Sequence, residues 1–279
     1  MVRAYLRGAR AALQQWPLVL ALWLIIGLFG LAFALAGGAW LSDALESSLA
    51  TRTLFRSLDP DVWVDLWYHH REGLRGLLTV AVVLATVHSV LWWWLHGVVI
   101  AALQGTAAEL GSVWARGLRL APTMAALFAI ALVVLALFTA AVASAAYELL
   151  RWTRTNPAPM IWYQIGAAAV AVWVLGFVFL VAVHDQARLR VGRARRGALS
   201  AYAWALVFVA RGGERAFPLA CALQLTGLAV WLGYQAIALT FDMTALLGLT
   251  GSFVWGEAFL LIRMWGRVWF FAAQNELQP

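Results

Sequence analysis

Uncharged or nearly uncharged windows of about twenty residues recur six times along the chain, at 17–37, 77–103, 121–147, 161–184, 217–241 and 243–263. A backbone immersed in hydrocarbon must satisfy its own N–H and C=O groups, and a helix of ~20 residues crosses the ~30 Å apolar core. The pattern therefore predicts an all-α, polytopic membrane helix bundle of about six transmembrane helices. The second window is long enough to tilt. The first resembles a secretory leader in its small residues near Ala32 to Ala39, but leader cores run only ~7–15 residues, and its length marks it as a span.

Two further apolar segments have a different pattern. Val2, Leu6, Ala9, Leu13 and Trp16 share one helical face while Arg3, Arg7 and Arg10 occupy another, which predicts an interfacial helix over residues 1–16. Residues 199–210 form an apolar run too short to span, followed by Arg211-Gly212-Gly213-Glu214-Arg215; this run is expected to lie at the surface or re-enter, within a basic segment at 185–216. Both lead into similar junctions, Trp16-Pro17-Leu18 before Ala21-Leu22 and Phe217-Pro218-Leu219 before Ala222-Leu223. Proline is tolerated in a first helical turn, and the match suggests a duplicated unit. Between the first two spans, residues 38–76 interleave acids, arginines and large apolar side chains, as short amphipathic helices packed on an external face would.

Composition agrees with this division. Hydrophobic residues make up 64% of the 279 and charged residues 12%, with a mean hydropathy of +0.81; soluble domains carry roughly a quarter charged residues. All twenty basic residues are arginine, and the formal net charge is +7. The excess suits anionic lipid head groups. Scattered between apolar runs, it forms no stripe or motif for nucleic acid. The single cysteine, Cys221, excludes an internal disulfide and any multi-thiolate metal site. Many of the seventeen tryptophans, Trp16, Trp40, Trp114 and Trp152 among them, fall near span ends, where an amphipathic ring suits the head-group layer. With the N-terminus inside, fourteen of the twenty arginines fall on the cytoplasmic side: Arg3, Arg7, Arg10, Arg116, Arg119, Arg188, Arg190, Arg193, Arg195, Arg196, Arg211, Arg215, Arg263 and Arg267. Both termini are therefore expected in the cytoplasm, across a bacterial cytoplasmic (inner) membrane; were 199–210 to cross, the C-terminus would move outside.

Few residues offer chemistry. His88 and His96 in the second span and His184 ending the fourth raise haem or chlorophyll ligation, but eight residues set His88 and His96 roughly 80° and ~12 Å apart on one helix, unable to share an iron. Glu257 lies within the last span, where an acid is costly by roughly 2.5–3.5 kcal/mol; it requires a proton or a partner on another helix. Arg263 and Arg267, at i,i+4, repel unless an anion such as lipid phosphate, Asp185 or Glu109 lies between them. With Asp185 and Arg188 they form the candidate lipid- or partner-docking set. No phosphate loop, dinucleotide fingerprint, paired-histidine zinc motif or nucleophile elbow is present. The external cluster Asp59-Pro60-Asp61 with His69 and His70 is a weak metal or acid–base pattern.

His184-Asp185-Gln186-Ala187-Arg188, the basic stretch after it, the run 199–210 and the closing segment from Leu261 to Gln274 together resemble uncharacterised bacterial six-helix integral membrane proteins, themselves similar to the membrane domain attached to some glycerophosphodiester phosphodiesterases. The resemblance covers about a hundred residues, mainly the second half. It implies a six-span bundle with an aspartate-to-arginine turn after the fourth span, and no activity. Leu95-His96-Gly97 departs from the small pair usual in that group, so His96 gains no support as a shared ligand. The expected function is non-enzymatic: a structural or accessory subunit packing against other membrane-protein subunits or itself. A transporter or permease subunit using Glu257 is the alternative, and a haem- or pigment-binding subunit the third.

Overall fold

The computed structural model describes residues 1–45, 64, 67–105, 110–153, 159–194, 197–211, 213–241 and 246–278. Among these every regular element is an α-helix: α1 (Val2–Gln14), α2 (Trp16–Leu45), α3 (Arg71–Gln104), α4 (Leu110–Thr153), α5 (Pro159–Ala194), α6 (Ala198–Arg211), α7 (Gly213–Ala238) and α8 (Leu246–Asn275). Six of them, α2 to α5 with α7 and α8, are long and apolar enough to cross a membrane, one for each window read from the sequence. The chain is an all-α, multi-pass membrane helix bundle. Its spans leave apolar side chains uncovered because lipid is their solvent. Leu24, Leu28, Leu31 and Leu35, spaced four, three and four on one face of α2, are all at least half exposed.

The helices outrun the windows. α4 has 44 residues and α5 has 36, about 66 and 54 Å at 1.5 Å per residue. Their polar ends are rich in Arg, Ala and Leu, all good helix formers, so the backbone continues past the edge of the hydrocarbon. α6, with 14 residues, is too short to cross. It packs instead on α5 and α4, through Ala201, Tyr202, Ala205 and Val209. Most of the external segment 38–76, with Asp59-Pro60-Asp61, lies outside the described residues, as does Glu109.

The chain divides into two compact units. The first comprises Met1–Ala11, Trp93–Thr226 and Trp269–Pro279, and within it one arrangement occurs three times. α1 lies on the end of α8, where a Cβ on Gly8 would stand 2.5 Å from the Ala273 nitrogen. The start of α4 lies on the end of α3, where a Cβ on Gly97 would stand 2.6 Å from the Gly117 carbonyl oxygen. α6 lies on the end of α5, with Tyr202 facing His184 and the Arg190 guanidinium 4.5 Å from the Trp204 ring. In each case a short, arginine-bearing segment rests on the last turns of a returning span.

The sequence repeats in step. Pro17, Pro122 and Pro218 are each followed, four and five residues on, by Ala-Leu: Ala21-Leu22, Ala126-Leu127 and Ala222-Leu223. The three leucines are 2%, 0% and 1% exposed. Of the junction read twice in the sequence, the proline and the Ala-Leu pair thus occur a third time, inside α4, with Ala121 and Thr123 in place of the flanking aromatic and leucine. There the short helix and the span have fused, and the missing N–H of Pro122 marks the seam.

α1 shows how the amphipathic pattern is used. Its small residues Ala4 and Gly8 are buried, while Val2, Leu6 and Leu13 are each about 60% exposed, as suits a helix lying in the interface with its large apolar side chains toward lipid. Tyr5 anchors it: the ring meets Trp269 edge-on at 4.7 Å, the carbonyl accepts from Trp269 Nε1 at 2.9 Å, and the hydroxyl bonds Thr226 Oγ1 at 2.8 Å.

The second unit comprises Ala12–Trp92 and Gly227–Val268. Tyr234 on α7 stacks on Phe259 of α8 at 4.2 Å, and its carbonyl accepts from Trp255 Nε1. Where Gly73 has no side chain, the Trp40 indole takes the space.

Candidate functional site

Polar side chains are scarce in the spans, and the first unit gathers most of them where α3, α5 and α8 end. α5 brings Asp185, Gln186, Arg188 and Arg193; α8 and the turn after it bring Gln274, Asn275 and Gln278; α3 brings Gln104. Asp185, Gln186, Arg188, Gln274 and Gln278 are all at most 9% exposed. Buried polar groups are costly unless paired, and these are paired chiefly with one another.

Gln274 Nε2 donates to Asp185 Oδ2 at 2.9 Å, and Arg188 to Asp185 Oδ1 at 3.4 Å. Gln278 Nε2 donates to both the backbone carbonyl and the side-chain Oε1 of Gln186, at 3.0 and 2.9 Å. The Gln186 amide in turn reaches the Gln274 carbonyl and Oε1 at 3.5 Å. Gln104 Nε2 donates to the Leu189 carbonyl at 2.9 Å, tying α3 to α5. Arg193 donates to the carbonyls of Asn275 and Gln278 at 3.2 and 3.1 Å. The last carbonyls of a helix have no partner within it and carry partial negative charge, so a guanidinium there both fills the hydrogen bonds and opposes the dipole.

A cavity of about 400 Å³ remains among the three helix ends, lined by Leu103, Gln104, Gly192, Arg193 and Asn275. Gly192 is required by the close approach of α3, since a Cβ would overlap the Gln104 amide and the Ile100 side chain. Chemically the arrangement is a helix lock: it holds three helix ends together through amides, one carboxylate and the Arg193 guanidinium, with Arg188 paired to the carboxylate within α5.

The residues singled out from the sequence separate. Asp185 and Arg188, expected to dock lipid or a partner, are inside this network. Arg263 is exposed, and the Arg267 guanidinium lies 5.6 Å from the Trp92 ring centroid. In the second unit His88 stacks on Trp92 at 5.7 Å and meets Phe29 edge-on at the same distance. His96 is 4% exposed and packs against Phe271. The ring nitrogens of His184 and the hydroxyl of Tyr202 are buried without hydrogen-bond partners among the described residues. Each histidine thus faces a different aromatic ring. Glu257 is half-buried on α8, its Oε2 3.9 Å from where a Cβ on Gly27 of α2 would stand; among the described residues no hydrogen bond or ion pair reaches it.

Gln104 and Gln278 do not stand out in the sequence, Gln186 and Gln274 do so only within the segments that carry the resemblance, and Arg193 only as one of the cytoplasmic arginines. The signal that finds them is position, since each lies within three turns of the polar end of a span in a chain with few amides. No protein-family model, curated protein or solved structure matches the chain.

Proposed function

We propose that this chain is a non-enzymatic integral membrane protein, a structural or accessory subunit of a larger membrane assembly, seated in a bacterial cytoplasmic membrane with the polar centre on the cytoplasmic side. The observation that carries the proposal is the use made of polar chemistry: Asp185, Gln186, Arg193 and Gln274, side chains suited to act on a substrate, are spent on joining helix ends, and Arg188 pairs with Asp185 within α5. Such a network serves rigidity. Around it Arg3, Arg7, Arg10, Arg116, Arg119, Arg211 and Arg215 are exposed, a basic rim suited to anionic head groups on the cytoplasmic leaflet. The resemblance to the membrane domain of phosphodiesterases, which implies no activity of its own, fits the same role. Purification in a mild detergent from the native membrane tests it: a stoichiometric membrane-protein partner, or a defined homo-oligomer, is expected. A lone monomer that catalyses uptake in proteoliposomes would refute it.

A second function, as a transporter or permease subunit, is favoured by Glu257. A carboxyl at membrane depth beside the bare backbone of Gly27 is a candidate proton carrier. Proton-coupled uptake lost in Glu257→Gln would establish that role; uptake absent from both proteins would remove it.

A further inference from the structure

We infer that the cleft between α4 and α5 holds one acyl chain of a bilayer phospholipid. The two helices touch firmly at one level. The Phe138 ring occupies the space left by Gly176, and Trp173 Nε1 donates to Thr139 Oγ1 at 3.0 Å. From there toward Leu149 the lining alternates the small Ala141, Ala145, Ala168 and Ala169, whose single carbons do not bridge two helix backbones, with larger apolar side chains such as Ile161 and Ile165. A cavity of about 520 Å³ is left, apolar but for Gln164.

Its dimensions and ends select the occupant. Phe138 to Leu149 is eleven residues, or about 17 Å of helix, against about 15 Å for one leaflet of a ~30 Å hydrocarbon core. At the open end stand Trp152, Trp162 and Tyr163, which are 79%, 47% and 77% exposed, the aromatic residues expected at the head-group layer. At the blind end is Phe138. The cleft therefore runs from the head-group layer to about the middle of the bilayer and stops. A spanning helix, ~10 Å wide and continuing through both leaflets, would be stopped by the Phe138–Gly176 contact, whereas a chain of one leaflet ends there naturally. Gln164 presents an amide near the open end, at the level of ester oxygens, and just beyond the cleft the exposed pair Arg151–Glu148, at 3.7 Å, marks the polar boundary.

The test places the protein in nanodiscs of phosphatidylethanolamine and phosphatidylglycerol with a minor share of phosphatidylcholine carrying a diazirine midway along one acyl chain, and maps adducts by peptide mass spectrometry after irradiation. Labelling at Ala141, Ala145, Ala168 and Ala169 is expected to exceed that at Leu132, Leu137, Val170 and Leu175, which are also lipid-exposed, by several-fold. Even labelling of both sets overturns the inference, as do chain-to-chain cross-links in place of lipid adducts at the cleft. In the double variant Ala145→Phe with Ala168→Phe the excess should vanish, and native mass spectrometry should find one phospholipid fewer per chain; unchanged retention counts against the site. Should that variant fail to fold, the map of the unaltered protein decides alone.

Discussion

Gln274→Leu tests whether the polar centre holds the helices together. The replacement keeps the side-chain volume and removes the 2.9 Å bond to Asp185 Oδ2 together with the 3.5 Å contact from Gln186 to the Gln274 Oε1, while the Gln274 backbone carbonyl still accepts from Gln186. Contacts at 3.5 Å are at the limit of useful geometry, so nearly all of the effect comes from Asp185. A hydrogen bond to a charged group contributes ~1.5–3 kcal/mol, and a buried acceptor left without its donor costs ~1–3 kcal/mol. Asp185 retains Arg188 at 3.4 Å, which limits the loss, and about 2–4 kcal/mol of destabilisation is expected. That exceeds the ~0.6 kcal/mol average for hydrogen bonds between lipid-immersed helices, because the donor and acceptor here are enclosed by protein. Unfolding in mixed micelles with increasing dodecyl sulfate, followed by far-ultraviolet circular dichroism and tryptophan fluorescence, measures the change. A double-mutant cycle with Asp185→Asn separates the pair from the rest. A loss below ~0.5 kcal/mol, the range of inconsequential surface changes, would refute the assignment of this network as a lock.

Other outcomes follow from single contacts. Gly8→Leu drives a side chain into the Ala273 backbone and should cost ~1–3 kcal/mol or more; release of α1 would be read as new protease cleavage within residues 2–14. Arg193→Ala should free the Gln278 carbonyl and leave that of Asn275 with only the Gln278 N–H at 3.3 Å, and so speed hydrogen exchange over 275–278, while the spans keep their protection. Tyr202→Phe should be neutral or slightly stabilising near pH 7, because the buried hydroxyl it removes has no partner among the described residues. Burial also raises the Tyr202 phenol above its ordinary value of 10.0. Both folded and unfolded chains are protonated below that value, but above it the unfolded chain loses the proton first, so stability falls as pH rises. The parent protein should accordingly lose stability relative to Tyr202→Phe only above about pH 10, in the same unfolding assay.

Much of the fold was legible because hydrocarbon imposes a length. Six windows became six spanning helices, and the apolar run 199–210 proved too short to be a seventh. The helix ends were less legible, since hydropathy reports the edge of the apolar stretch whereas helix formation continues through Arg116, Arg119 and the segment Asp185 to Ala194. The partial third copy of the junction was less legible because Ala121 and Thr123 flank Pro122 where the other two copies have an aromatic residue and a leucine. The site was only partly legible. Asp185 and Arg188 drew notice as charges, yet a sequence does not say whether a charge at a span end faces water or a neighbouring helix. Amides such as Gln104 and Gln278 draw no notice until the helices that pair them are brought together. Glu257 was expected to need a partner or a proton, and Gly27 beside it supplies space but no hydrogen bond.

The seat of α1 on α8 has a consequence for biogenesis. The bond from Trp269 to the Tyr5 carbonyl joins residues 264 positions apart, so α1 leaves the ribosome long before its seat exists. Through the insertion of every intervening span it must wait at the water–lipid boundary, held there by Val2, Leu6 and Leu13 on one side and three arginines on the other. Its amphipathic character is then a holding device during synthesis as well as a feature of the finished protein, and assembly of the first unit ends with its earliest helix.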